Sequence, residues 1–242
     1  MRNADRTAPQ RAHRAERVAL VATLALTFVT GIVDAVGFVG LDRVFVGNMT
    51  GNIVVLGMGV AGADRLPVLG PAVALCAFAA GAFLGGLLLR GRGKGWNPVV
   101  SVVLGSCGCL LMLLGGCCLV PAVEGHRALE LTAVSVTAGV MGVQAAAARS
   151  LAVRDVTTVV VTSTLTALAS ESITRGGRHS LLNRRLGAIL LIFSGAVFGV
   201  LLLELGLAVP LFAAGALTAA TACVGHTMLP PQPPAREPTC PR

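Results

Sequence analysis

Charge is what this chain has little of. Asp, Glu, Lys and Arg make up 12% of its 242 residues, against about 25% in an ordinary soluble domain. Hydrophobic residues reach 55% and the mean hydropathy is +0.81. That composition excludes an ordinary soluble domain. The long apolar runs also lack period-two alternation, which excludes a transmembrane barrel. With no water to satisfy bare backbone groups in a bilayer, the runs are expected to be helices. Histidine is scarce too: only four are present, and His13 lies near the N-terminus. No His-rich cluster, paired carboxylates or Ser/His/Asp set stands out. An enzyme is therefore not expected, nor a metal or cofactor. Lysine is nearly absent, with Lys94 alone, so the net charge of +8 is carried by arginine. These arginines sit in tails and loops between apolar runs, the pattern that orients membrane proteins, so the basic balance does not imply nucleic-acid binding.

Seven cysteines are present, at 76, 107, 109, 117, 118, 223 and 240. Six fall inside apolar runs with no His or acidic neighbour, which favours small packing residues over metal or redox chemistry. The first 17 residues carry Arg2, Arg6, Arg11, Arg14 and Arg17. The apolar run after them is longer than a signal-peptide core and shows no clear cleavage site. A cytoplasmic tail, 1–17, followed by an uncleaved anchor is expected. Residues 229–242 are Pro-rich and expected to be disordered.

Eight apolar segments can be marked: 18–40, 44–63, 67–89, 98–120, 129–148, 156–171, 186–204 and 206–228. The second is interrupted by Gly47-Asn48-Met49-Thr50-Gly51-Asn52, and the sixth is dense in Ser and Thr. Loop charge bears on whether these two cross. With a cytoplasmic N-terminus and neither crossing, sixteen Lys/Arg lie inside and three outside (Arg43, Arg65, Arg127). If both cross, the division is thirteen to six. The fold expected is thus an all-α integral membrane protein with six transmembrane helices plus two re-entrant or broken segments. The cell (inner) membrane, with both termini cytoplasmic, is the expected location.

The chain also repeats itself. Gly81 to Leu89 reads GAFLGGLLL and Gly195 to Leu203 reads GAVFGVLLL, six matches in nine at an offset of 114. Thr50-Gly51-Asn52 aligns with Thr162-Ser163-Thr164 at offset 112, and Asp34 with about Gln144 at offset 110. Under the six-span topology the two copies, 18–120 and 129–228, run in opposite senses. Such an inverted repeat is typical of transporters and channels.

The stretch Gly31-Ile32-Val33-Asp34-Ala35-Val36-Gly37-Phe38, followed by Val44-Phe45-Val46-Gly47-Asn48-Met49-Thr50-Gly51-Asn52, resembles the signature of the YoaK-like family of bacterial integral membrane proteins. Gly142-Val143-Gln144-Ala145 and Val161-Thr162-Ser163-Thr164-Leu165 are similar to its second region. There the chain departs from the family pattern: Ser163 stands in place of Gly, and Ala145 in place of Asn. The resemblance covers about 18–228 and implies a polytopic inner-membrane protein. It implies no particular activity.

Asp34 is the only carboxylate deep in a candidate span. A charge there is expensive and usually faces a cavity, although pairing with Arg43 or capping the next turn would also account for it. Thr50 or Asn52 can cap a short helix from about 53 to 61, with Gly51 permitting a sharp turn or close approach. A helix starting at membrane depth aims free N–H groups inward, which suits an anion or an oxygen-rich group; a polar hinge is the plainer alternative. The candidate binding set is therefore Asp34, Asn48, Thr50, Gly51, Asn52, Gln144, Thr162, Ser163 and Thr164. The expected function is a membrane transporter or channel for a small polar solute or ion. A structural or regulatory membrane protein without transport activity is the alternative, with a membrane enzyme a more distant one. The expected partners are the lipid bilayer and that solute, with a homo-oligomer left open.

Overall fold

The computed structural model describes residues 7–93, 95–119, 126–151 and 179–228; of 7–14 and 179–185 it describes the backbone alone. Seven α-helices occur among these residues: α1 Thr7–Gly40, α2 Met49–Val60, α3 Leu69–Leu89, α4 Pro98–Cys117, α5 Arg127–Ser150, α6 His179–Leu203 and α7 Ala208–Met228. All but α2 are long and apolar enough to cross a membrane. The twelve residues of α2 span only about 18 Å at 1.5 Å per residue, well short of a hydrocarbon core of about 30 Å. The segment expected over 156–171 lies outside the described residues, as does the C-terminal tail.

Three helix starts differ from the sequence reading. Helix α6 begins at His179, ahead of the apolar run expected from 186. The first helix continues back through the Arg-rich tail to Thr7, because Ala, Arg and Glu are good helix formers whether or not the segment is apolar. Its membrane-length portion is Ala15–Gly40. The short helix begins at Met49 rather than near 53. Asn48 is its N-cap, accepting from Gly51 N at 3.2 Å, so neither Thr50 nor Asn52 performs that role. At α4 the start follows a familiar local signal: Asn97 accepts from Val99 N and Val100 N, and Pro98 opens the helix.

Glycine sets which helices meet. In a bilayer, helix association relies on close packing rather than on expulsion of water, so small residues mark the interfaces. A Cβ at Gly31 of α1 would stand 2.9 Å from Ala196 N of α6 and closer still to Ile192 O. Gly195 and Gly199 of α6 fit in turn against Phe28 and Ile32. Helices α3 and α5 meet in the same manner, Gly142 against Phe78 and Ala82, Gly81 against Gly139, and Gly85 against Val143. Both pairs run parallel. The third pair, α4 and α7, runs antiparallel through Gly108 against Gly215 and Ala219. Near one end of that pair the Trp96 ring lies over Gly225, and its indole N–H donates to Ser101 Oγ at 2.8 Å.

The six long helices alternate in direction. At the end where α1 finishes, Asp42 packs on Gly70 at the start of α3 and forms a two-pronged ion pair with Arg127 at the start of α5, both bonds 3.1 Å. Gly40 meets Leu203 at the end of α6. At the opposite end Gly95 N donates to Ser150 O, bringing the α3–α4 turn against the close of α5. The Arg127 side chain is 56% exposed, so water screens the pair. Arg127→Ala is expected to lower stability by no more than about 1 kcal/mol, read as a small fall in Tm in detergent.

Hydroxyl side chains within the bundle are largely satisfied by their own helix. Thr23, Thr27 and Thr30 donate to Ala19 O, Thr23 O and Leu26 O at 2.8–2.9 Å, a ladder along one face of α1. Cys107 is buried and its thiol donates to Val140 O, in keeping with a packing role. Large apolar side chains such as Phe83, Leu113 and Phe193 point outward, as a surface that meets lipid tails requires.

Candidate functional site

After Gly40 the chain turns back on α1. Arg43, at φ 50°, makes the turn in the left-handed region. Val44 N then donates to Gly37 O, and Val44 and Val46 are wholly buried. Gly47 reaches as far as Thr30: a Cβ there would stand 2.8 Å from the Thr30 methyl and 3.4 Å from Asp34 Oδ1. Asp34 lies roughly 9 Å below the end of α1, six residues at 1.5 Å each. The extended segment therefore runs back along α1, α2 starts at that depth, and α3 starts again beside Asp42.

Asp34 is 8% exposed and holds this segment. Its Oδ1 accepts from the backbone N–H groups of Val46 (2.9 Å), Gly47 (2.6 Å) and Asn48 (3.3 Å). Three converging N–H groups followed directly by the start of α2 form a cradle for negative charge. Asn52, fully buried, clamps the same segment from the other side. Its Oδ1 accepts from Phe45 N at 2.9 Å, and its Nδ2 donates to Phe45 O. The Phe45 ring fits against Gly51 and stacks on Phe38, centroids 4.9 Å apart. Gly51 is thus a helical residue that makes room for a ring, not a turn.

The second half of the chain supplies Gln144. It is 2% exposed on α5, and its Oε1 is buried with no hydrogen-bond partner among the described residues. It lines a small cavity shared with Thr30, Gly47, Phe78 and Met141. Residues from α1, the extended segment, α3 and α5 meet there.

The structure therefore brings Asp34, Asn48 and Asn52 into one hydrogen-bonded unit, with Gly47 between that unit and Gln144. Asn48 and Thr50 are exposed; Asn48 serves as the cap, and Thr50 makes no side-chain hydrogen bond among the described residues. Thr162, Ser163 and Thr164 lie outside the described residues. Three contributors were missed from sequence: Thr30, Gly47 and Phe45. The i, i+4, i+7 spacing of Thr23, Thr27 and Thr30 was the available signal for the first. The other two stand in the signature stretch but owe their roles to the chain doubling back.

Comparison with known proteins covers these same elements. The family model described as protein of unknown function (DUF1275) matches residues 22–224. The UPF0700 transmembrane protein YoaK of Bacillus subtilis (strain 168) is 31% identical over 159 residues, spanning 65% of this chain and 68% of that protein. No solved structure matches. The matched region holds Asp34, the extended segment, α2 and Gln144 together with all or most of each of the six membrane-length helices, and this multi-pass membrane protein belongs to the DUF1275, YoaK-like family.

Proposed function

We propose that the chain is a transporter or channel for a small polar solute or ion, built as an inverted repeat, rather than an enzyme. The pathway passes between the α2 start held by Asp34 and the face of α5 that carries Gln144. One observation carries this reading. Polar groups from both halves are buried at membrane depth, where polarity otherwise has little reason to be: an unpartnered amide lines a small cavity, and a carboxylate binds Gly47, which lines the same cavity.

The repeat has support in the glycine contacts. Gly31 to Gly142 is an offset of 111, and Ile192 and Ala196 lie 114 beyond Phe78 and Ala82. With these two offsets the contacts of Gly31 with α6 become the contacts of Gly142 with α3. Gly195 on Phe28 becomes Gly81 on Gly139, and Gly199 on Ile32 becomes Gly85 on Val143. An offset of 107 exchanges Gly108 with Gly215, which already face each other. On this register Asp34 corresponds to Ala145, one residue past Gln144, so the carboxylate belongs to one half only. The repeats are 18–120 and 129–228.

Both odd segments are proposed to be re-entrant. The 28 residues between Gly40 and Leu69, and the 28 between Ser150 and His179, each join helix ends on one side of the bundle. Two crossings would need about 40 residues. The proposed location is the bacterial inner membrane with both termini cytoplasmic. Cysteines placed on a Cys-free background at positions 43 and 65 should then be labelled from outside intact cells, and those at 91 and 175 only from within. Labelling of position 65 from the cytoplasm would sink the re-entrant reading. Function is tested by reconstituting the chain in liposomes and following ion and solute fluxes against empty liposomes. No flux above that background across a cation, anion and neutral-solute panel would favour the structural alternative.

A further inference from the structure

The start of α2 has the form of an anion site, yet its donors are largely taken. Within residues 45–52 the N–H groups of Phe45, Val46, Gly47, Asn48, Gly51 and Asn52 are all bound inside the chain. Three of them are held by Asp34, so the anion of this helix terminus is an internal one. What remains unpaired nearby is an acceptor, Gln144 Oε1, buried at 2% exposure. A buried amide oxygen left without a donor is costly, and each such atom calls for a physical reason. The cavity that Gln144 lines is small, about 10 Å³, room for one water-sized molecule. Thr30 also lines the cavity, and its hydroxyl donates to Leu26 O.

We propose that this cavity binds a single water-sized hydrogen-bond donor, water or an ammonium ion, on Gln144 Oε1. Resting on the transport reading, the solute class is then a small donor or cation rather than an anion. Water and ammonium share size and donor character, and the test separates them.

The chain has three glutamines, Gln10, Gln144 and Gln232. Full-length protein carrying Gln10→Ala and Gln232→Ala and labelled with ¹³C at the glutamine side-chain carbonyl has one such group, Gln144. Isotope-edited infrared spectra in detergent should place its band at the lower wavenumber of a hydrogen-bonded amide. A further shift when sodium chloride is replaced by ammonium chloride assigns ammonium, and an unchanged bonded band assigns water. A band at the free-amide position in both salts overturns the proposal. So does a band that moves with Thr162→Ala, Ser163→Ala or Thr164→Ala, because the donor would then be a hydroxyl of the chain. Gln144→Met should abolish the band; if that variant does not fold, the labelled-minus-unlabelled difference spectrum identifies it. The band is read without any flux, so an absence of transport and an absence of the bound donor are separate results.

Discussion

Asp34→Ala is expected to unfold the site, while Asp34→Asn should leave the bundle standing and stop the proposed transport. The alanine variant removes the only acceptor for three N–H groups, of which that of Val46 belongs to a fully buried residue. Each buried donor left unpaired costs about 1–3 kcal/mol, so the loss should be about 3 kcal/mol or more. It would appear as a large fall in Tm in detergent and as new protease sensitivity in the segment from 41 to 48. Asparagine keeps a carbonyl oxygen in the same place. Its hydrogen bonds are neutral rather than charge-assisted, roughly half as strong, so a loss of about 1 kcal/mol is expected. Only the charge is gone. If Asp34 is part of the pathway, flux in liposomes falls at least tenfold in the asparagine variant while Tm changes little. Flux at the parent level in a stable Asp34→Asn protein would reduce Asp34 to a cap on the extended segment and remove the carboxylate from the mechanism.

That experiment is needed because one geometry serves both roles. The sequence pointed to Asp34 because a lone carboxylate in an apolar run is expensive anywhere and conspicuous on that ground alone. It could not reveal the partners. Val46, Gly47 and Asn48 lie 12–14 residues away and reach Asp34 only because the chain turns at Arg43 and runs back along α1. Asn52 was read as a polar residue at the opening of a helix, where local pattern offers capping as its role. Its side chain instead pairs both backbone groups of Phe45, a contact set by tertiary approach. Four of the long helices, α3, α4, α5 and α7, match their apolar runs to within a few residues at both ends, since bilayer thickness fixes how long an apolar run must be. Where helicity has another cause, as in the Arg-rich start of α1, apolarity said nothing. Gln144 was reached through an alignment with Asp34 at offset 110. The glycine contacts are related by 111, so the pairing of Gln144 with Asp34 is one position off that register.

The glycines permit the other large effect, and it carries an internal control. Gly31→Val and Gly142→Val should each destabilise the bundle by about 3 kcal/mol, at the upper end of what overpacking produces. In both positions the added atoms meet neighbouring backbone, Ile192 and Ala196 in one case and Phe78 and Ala82 in the other. Backbone cannot rotate aside as a side chain can, so relief requires the parallel helices to separate along their length. Helix separation in lipid also forfeits the close packing that holds such pairs together. Gly86 and Gly105 have nothing within 4 Å of the place a Cβ would occupy. Alanine there should be neutral or stabilising, by up to about 1 kcal/mol from helix propensity. Thermal stability of the four variants in one detergent decides between two accounts of the glycines. Similar large losses at Gly31 and Gly142, with none at Gly86 and Gly105, identify matched interfaces, α1 on α6 and α5 on α3. A Gly142→Val protein as stable as the parent would mean that α3 and α5 can part without consequence. The two halves would then not be mechanically equivalent, and an inverted repeat that moves one half against the other would lose its physical basis.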